Sequence, residues 1–359
     1  MKYWPALVAL AGVSSYFIIP EHLSFFRKET VRTPSSLEQN ELAKTVLNPR
    51  APVICENFYE RICRLQRGTT RDPTGLVKPD LEGELEALRI YQELIRQHPD
   101  WSSQEVDAAL VQAIYTPKRR ERVIAAFKWA QFSVIKLIKR ESAFASANKK
   151  LLIEKLRQVR VELPPPAALY ADEPDLFTKN DVIYERLASG GVRLRVGGAF
   201  LFTSKSWFNM VFTFAHELAH SIDPCEIRDT GGNIPVFKKL ENCFLKQKWI
   251  DNLSERTACS QNDQLSEVFA DWLAVKVSAE ALKEYATEYS RPQIIAAAVN
   301  SVRDLCEQEQ SLDEVDNRQH PAALVRIESI FGGSPEIRKV LGCEPVPVQD
   351  SLKGLYCAF

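Results

Sequence analysis

The sequence predicts an α+β protein that is predominantly helical. Three observations carry this expectation. Apolar residues recur at helical spacing through most of the chain. One stretch, residues 192–202 (VRLRVGGAFLF), alternates and is rich in β-formers. Three consecutive prolines at 164–166 separate an all-helical part from a mixed one and mark the best domain boundary. The 359 residues, 45% of them apolar, suffice for one large or two medium domains. The formal net charge of −1 gives no global electrostatic case for nucleic acid. The dense basic run Lys118-Arg119-Arg120-Glu121-Arg122 reads as a solvated helix start.

The elements follow in order. In residues 1–26, Lys2 precedes an apolar stretch over 6–19 that Pro20 ends. That is short for a membrane span and reads as a signal peptide or an N-terminal anchor. Residues 27–52 mix prolines, serines and alternating charges and read as a linker. Residues 53–166 form a helical lobe. Leu85, Leu88, Tyr91, Leu94 and Ile95 make one stripe, and a second helix starts near Ser103. A long third helix follows Pro117, with Val123, Phe127, Ala130, Val134, Leu137 and Ile138 on one side. Residues 167–359 open with the strand or hairpin at 192–202, where Gly197-Gly198 suggests a bulge or a close backbone approach. A helix capped by Ser206 and stopped by Asp223-Pro224 comes next, then helices near 235–249, 262–278, 292–310, 320–331 and 335–341.

The Ser206 helix carries the most informative run, His216-Glu217-Leu218-Ala219-His220. Two histidines four apart share a helix face, so their imidazoles can hold one zinc ion. The adjacent Glu217 can serve as general base toward water. A catalytic zinc takes a third protein ligand. Downstream, Glu267 and Asp271 are four apart in a helical pattern. Glu267 can ligate the metal. Asp271 can accept a hydrogen bond from a ligand histidine and set its tautomer, and Asp223 is a second candidate for that role. By spacing alone, two solvent-facing acids on a surface helix are the favoured reading of the Glu267–Asp271 pattern. Further on, His320 can donate to a developing oxyanion, and Arg326 can grip a carbonyl or carboxylate with its forked donors. Either could also be a plain surface charge.

Eight cysteines are scattered without a Cys-x-x-Cys pair: Cys55, Cys63, Cys225, Cys243, Cys259, Cys306, Cys343 and Cys357. In an exported chain they form four disulfides, and spacing alone does not give the pairing.

Four motifs together resemble the neprilysin family of zinc endopeptidases, within the thermolysin-like zincins. They are HELAHSID, EVFAD, QHPAALVRIESIFGGSPEIRKVLGC and CENFYERIC. The resemblance implies a thermolysin-like catalytic domain with a small N-terminal helical lobe. It implies one Zn2+ per chain held by His216, His220 and Glu267, with Glu217 as base. Asp271 and Asp223 would orient the histidines, His320 would stabilise the transition state, and Arg326 would hold the substrate backbone. Phe212, four before the first ligand, stands where the family lines the apolar pocket for the side chain after the scissile bond. The implied disulfides are Cys55–Cys343, Cys63–Cys306 and Cys243–Cys357, leaving Cys225–Cys259.

The chain departs from the family in places. The Asn-Ala-Tyr tripeptide of the family's edge strand is absent from the region before the metal helix. Asn57 replaces the usual Asp, and Trp272-Leu273 follow Asp271 where the family has small residues. The chain is roughly half the family's usual length. The shortfall falls in the lobe that roofs the catalytic chamber, so a more open cleft is expected. The function expected is that of a secreted or membrane-anchored endopeptidase cleaving peptides or unfolded proteins, before hydrophobic residues. The alternative is a non-catalytic zincin-fold protein that binds a peptide or protein partner.

Overall fold

The computed structural model describes residues 55–64, 81–164, 176–188, 190–202, 206–250, 264–309 and 320–343, together with Cys259 and Cys357. The expected signal or anchor at 1–26, the linker at 27–52 and the prolines at 165 and 166 lie outside the described residues.

Four helices come first: α1 (Leu81–Gln97), α2 (Ser103–Ile114), α3 (Pro117–Arg140) and α4 (Ser146–Gln158). Three short strands follow: β1 (Val159–Glu162), β2 (Val182–Arg186) and β3 (Val192–Val196). Then come α5 (Trp207–His220), α6 (Pro224–Asp229), α7 (Pro235–Lys246), α8 (Gln264–Tyr285), α9 (Arg291–Val302) and α10 (Pro335–Leu341). Helix dominates, as the periodicity predicts, and the strands make one small sheet.

α5 is the centre of the packing. Ser206 caps it by accepting from the Asn209 N–H at 3.0 Å. Phe208, Met210, Val211, Phe214, Ala215, Leu218 and Ala219 are all buried. A helix apolar around most of its circumference needs cover on several sides. α8, itself buried along most of its length, supplies the largest part. α3 and α9 cover further sides. Edge-to-face pairs fix the α3 contact, with Phe127 against Phe214 at 5.6 Å and Trp129 against Trp207 at 5.3 Å.

The sheet has the order β1-β3-β2, with β1 parallel and β2 antiparallel to β3. This corrects two expectations. The strand expected over 192–202 ends at Val196 and gives way to a 3-10 turn at Ala199–Leu201. The stretch expected to be helical up to 166 ends in a strand, because Val159 and Val161 alternate with charges after α4. β1 pairs with β3 across the triple proline, so one sheet includes chain from both sides of that boundary. The Gly197-Gly198 pair is a close approach. A Cβ at either position would collide with the carbonyl of Lys179 or of Phe177. Their N–H groups donate to the carbonyls of Asp181 and Leu176, at 2.9 and 3.0 Å. Segment 176–181 is thereby held against β3 and delivered to β2.

Two surface readings also change. The basic run does start α3, but it is not merely solvated. Arg119 donates to the carbonyls of Ala113 and Ile114, and Arg120 to those of Tyr115 and Leu163. Both cover orphan carbonyls at the end of α2. The α1 stripe faces outward in part, with Leu85 52% and Tyr91 40% exposed.

All eight cysteines are paired, as Cys55–Cys343, Cys63–Cys306, Cys225–Cys259 and Cys243–Cys357. These are the pairs the resemblance implies. The first two tie the Glu60–Arg64 π-turn region to the C-terminal helices and close very long loops, where a crosslink removes the most chain entropy. The last holds the C-terminal tail, and there Trp272 finds its use. Its indole N–H donates to the Cys357 carbonyl at 2.8 Å inside the core. Four disulfides suit an oxidising compartment. No helix of the described residues is long and apolar enough to cross a membrane. Thiol counting on denatured, unreduced protein should find no free thiol. Several free thiols would overturn both the pairing and the oxidising compartment.

Candidate metal centre

His216 and His220 stand one turn apart near the C-terminal end of α5, and Glu267 lies in the first turn of α8. His320 precedes a π-helical turn at Val325–Phe331 that carries Arg326. All five line one cavity of about 780 Å³, together with Glu217, Asp223 and Phe212. The sequence places these residues on separate elements. The packing of α8 along α5 brings the two ligand-bearing faces together.

The hydrogen bonds set the direction of each ring. His216 Nδ1 lies 2.9 Å from Asp271 Oδ1, and a carboxylate can only accept, so Nδ1 carries the proton. His220 Nδ1 lies 3.0 Å from Ser266 Oγ. The Ser266 hydroxyl donates to Asp223 Oδ2 at 2.6 Å, so its oxygen accepts from His220 Nδ1–H. With both Nδ1 atoms protonated, the neutral rings present lone pairs at Nε2. Those two Nε2 atoms are 3.3 Å apart. Glu267 faces both, at 3.1 Å from His216 and 3.6 Å from His220. Two lone pairs and a carboxylate aimed at one point repel one another unless positive charge, a proton on Nε2 or a metal ion, lies between them. The spacing also fits: two nitrogens bound at about 2.0–2.1 Å in a tetrahedral site sit about 3.3 Å apart. Two overlapping groups could hold a metal ion, His216 with Glu217 and His220, and His216 with Glu267 and His320.

Electrostatics follow the same logic. Burial opposes charge on His216, but Asp271 and Glu267 outweigh it and raise its proton affinity. Burial works against ionisation of Glu267 too, yet its bonds to His216 and His320 hold its pKa far below the usual carboxylate range. Asp271 is buried, and Arg326 and His216 nonetheless keep its pKa at about 2. Glu217 differs. Burial dominates there and pushes its pKa up to about 7. It is the carboxylate of the cluster whose proton affinity lies near neutrality.

Each expected residue can now be placed. Asp271 binds His216 directly. Asp223 reaches His220 through Ser266, its direct distance being 3.6 Å. The other oxygen of Asp223 caps α6, accepting from the N–H groups of Cys225 and Glu226. His320 Nε2 lies 2.9 Å from Glu267 Oε2, with its side chain 37% exposed. Arg326 is buried and grips Asp271 with two bonds, Nε at 2.6 Å and Nη2 at 2.8 Å. These two nitrogens therefore position Asp271, and through it His216, and are not available to a substrate. Phe212 lies one turn before His216, buried, on the cavity wall.

The sequence reasoning missed three residues. Ser266 is the relay to His220, and its signal was the serine directly before Glu267. Tyr184 sets its ring edge-on to His220 at 5.7 Å. Asn180, just before β2, lines the cavity with a buried Oδ1 that has no hydrogen-bond partner among the described residues. The alternating run VIYER that follows Asn180 was the available signal. The strand beside the cavity is β2, the edge of the sheet, and not the 192–202 segment.

No known protein family matches the chain, and no curated protein does.

Metal analysis of the purified protein should find one ion per chain, lost in His216→Ala and in Glu267→Ala. Retention of near-stoichiometric metal by both variants would sink the assignment. Titrating zinc into metal-free protein at neutral pH should release protons. The raised proton affinity of His216 keeps it protonated there, and a metal must displace that proton. Calorimetry in buffers of different ionisation enthalpy reads the proton count, and a count of zero contradicts the argument. Replacing Arg326 by Leu leaves Asp271 buried without its partner. This should cost roughly 3–5 kcal/mol of folding stability in denaturant titration, and a loss under about 1 kcal/mol would show that the pair is not a structural anchor.

Proposed function

We propose that the chain is an exported zinc-dependent endopeptidase, related to the neprilysin family and built on a thermolysin-like catalytic fold. The observation that carries this reading is the convergence of two imidazole nitrogens and Glu267 beside a half-buried carboxylate, Glu217, of near-neutral proton affinity. Two imidazoles and one carboxylate are a donor set for a catalytic zinc. His216, His220 and Glu267 would hold the ion. When bound, zinc supplies Lewis acidity, polarising the scissile carbonyl and acidifying water.

The chain's own residues do the rest. Glu217 accepts a proton from the attacking water and returns it to the leaving amine, work for which a pKa near the operating pH is best. Asp271 and the Ser266–Asp223 relay hold both ligand rings in one tautomer. His320 stands at the mouth of the cluster and can donate to the developing oxyanion. A peptide can extend the sheet along the edge of β2, with the Asn180 amide available to its backbone. A module that only binds peptide needs no general base, so Glu217 speaks for the enzyme over the non-catalytic alternative.

Glu217→Gln should abolish turnover of a peptide-library digest while metal stays bound, because size and polarity are kept and the base is lost. His320→Ala should lower turnover by on the order of 10²–10³ with little change in substrate affinity. Wild-type activity in Glu217→Gln would refute the mechanism.

Among the described residues the cavity is also sparsely roofed. Among the described residues, Glu84 is the one residue preceding the triple proline that lines it. The enzyme should therefore cut a given site both in a ten-residue peptide and in a denatured, reduced protein. If only the short peptide is cut, the cleft is closed and this reading of the lobe is wrong.

A further inference from the structure

β2 is the edge strand of the sheet, and its bonds to β3 fix which of its backbone groups are left over. The Gly197 N–H donates to the Asp181 carbonyl at 2.9 Å, and the Leu187 N–H to the Gly191 carbonyl at 2.8 Å. In an antiparallel ladder, residues bonded to the partner strand alternate with residues whose N–H and C=O point the other way. Asp181 and Leu187 face β3, so Ile183 and Glu185 between them do too. Val182, Tyr184 and Arg186 turn their N–H and C=O groups to the outer edge. All three line the cavity. At the rise of a strand they span about 14 Å, room for about five residues of extended peptide.

The first donor of that edge is already engaged. The exposed Asp181 stands at the head of β2, and its Oδ1 accepts from the Val182 N–H at 2.7 Å. A carboxylate is a strong acceptor. It also sits next to the donor in the chain, so closing the bond orders one short side chain and little else. A peptide carbonyl that pairs with Val182 has to displace it. Asp181 belongs to the segment that Gly197 and Gly198 hold against β3, so its backbone is fixed while its carboxylate can swing away.

We propose that Asp181 is a specificity-determining residue that guards the β2 edge: its carboxylate holds the Val182 N–H until an extended peptide backbone takes that donor over. Asp181 thus competes with substrate for the edge. An unpaired strand edge invites pairing with any other strand, and a charged side chain at its head restricts what can add there. The inference rests on the endopeptidase reading for the word substrate, and on the hydrogen bonds of β2 for the competition.

The test reads binding rather than turnover. The zinc-loaded Glu217→Gln protein is titrated with a blocked, uncharged decapeptide of Ala, Leu and Ser in mixed order. Adding Asp181→Ala should tighten binding about three- to tenfold, the worth of one exchanged hydrogen bond. Asp181→Asn keeps a weaker acceptor in the same place and should fall between Asp181→Ala and the aspartate. A merely structural role for Asp181 would instead weaken binding in both variants. Unchanged or weaker binding in Asp181→Ala overturns the proposal. Equal tightening by Asp181→Ala and Asp181→Asn assigns the effect to charge and overturns it too. Binding by none of the three proteins removes pairing at this edge, and the proposal with it. The expected tightening, without any cutting of a peptide library by the wild type, would remove the endopeptidase reading and leave the guarded edge. Cutting without the tightening would do the reverse.

Discussion

The convergence of two imidazole nitrogens and one carboxylate on a single point, which only positive charge can stabilise, is the constraint on which the site depends. Nothing about α5 alone would hold His216 and His220 in that orientation. Their Nδ1 atoms are fixed from α8 and from the turn before α6, and those partners are fixed in turn. Arg326 grips Asp271 with two bonds, and Asp223 is held by the first N–H groups of α6. Each ring therefore answers to a chain of hydrogen bonds that ends in backbone or in a buried guanidinium. Such a network is stable only if every member is satisfied. At neutral pH the proton on His216 supplies positive charge at the centre, and a bound metal ion would take its place.

That network also explains why so much of the interior is given to two helices. α5 and α8 are buried almost all round, which is unusual for helices carrying charged side chains. Bulky apolar residues on their other faces fix the separation of the two axes, and the ligand spacing follows from that separation. Trp272 next to Asp271 illustrates the coupling. Its ring fills the core, its N–H anchors the tail at Cys357, and the disulfide to Cys243 ties that tail to α7. A large residue at this position is thus accommodated by the core, where Phe244 and Phe269 flank the ring, and by Cys357.

The cavity wall is assembled differently. It is made of turns and edges: segment 176–181, the β2 edge, and the 3-10 turn after α9. Two glycines are what let segment 176–181 lie against β3 and carry Asn180 and Asp181 to the cavity. The rigid elements hold the candidate metal centre, and these irregular pieces decide what can sit beside it.

The helical class and the His-Glu-x-x-His pentad were legible in the sequence because both are local: periodicity and an i, i+4 spacing need no tertiary contact. The Ser206 cap and the Pro335–Leu341 helix were legible for the same reason. Glu267, Asp271 and His320 could be named as candidates by their residue types, though a surface helix would show the same spacing. What tertiary structure alone decided is where side chains point and what they meet. The strand at 159–162 is too short for its alternation to outweigh the helix before it, and its pairing with β3 is non-local. Ser266 has no motif; its role exists because α8 lies beside α5. Arg326 reads as a free substrate-gripping cation until its partner is seen, since an ion pair over 55 residues leaves no trace in spacing. The Asn209 amide is likewise decided by the packed interior, where its Nδ2 meets the Ser301 carbonyl and its Oδ1 meets no donor among the described residues.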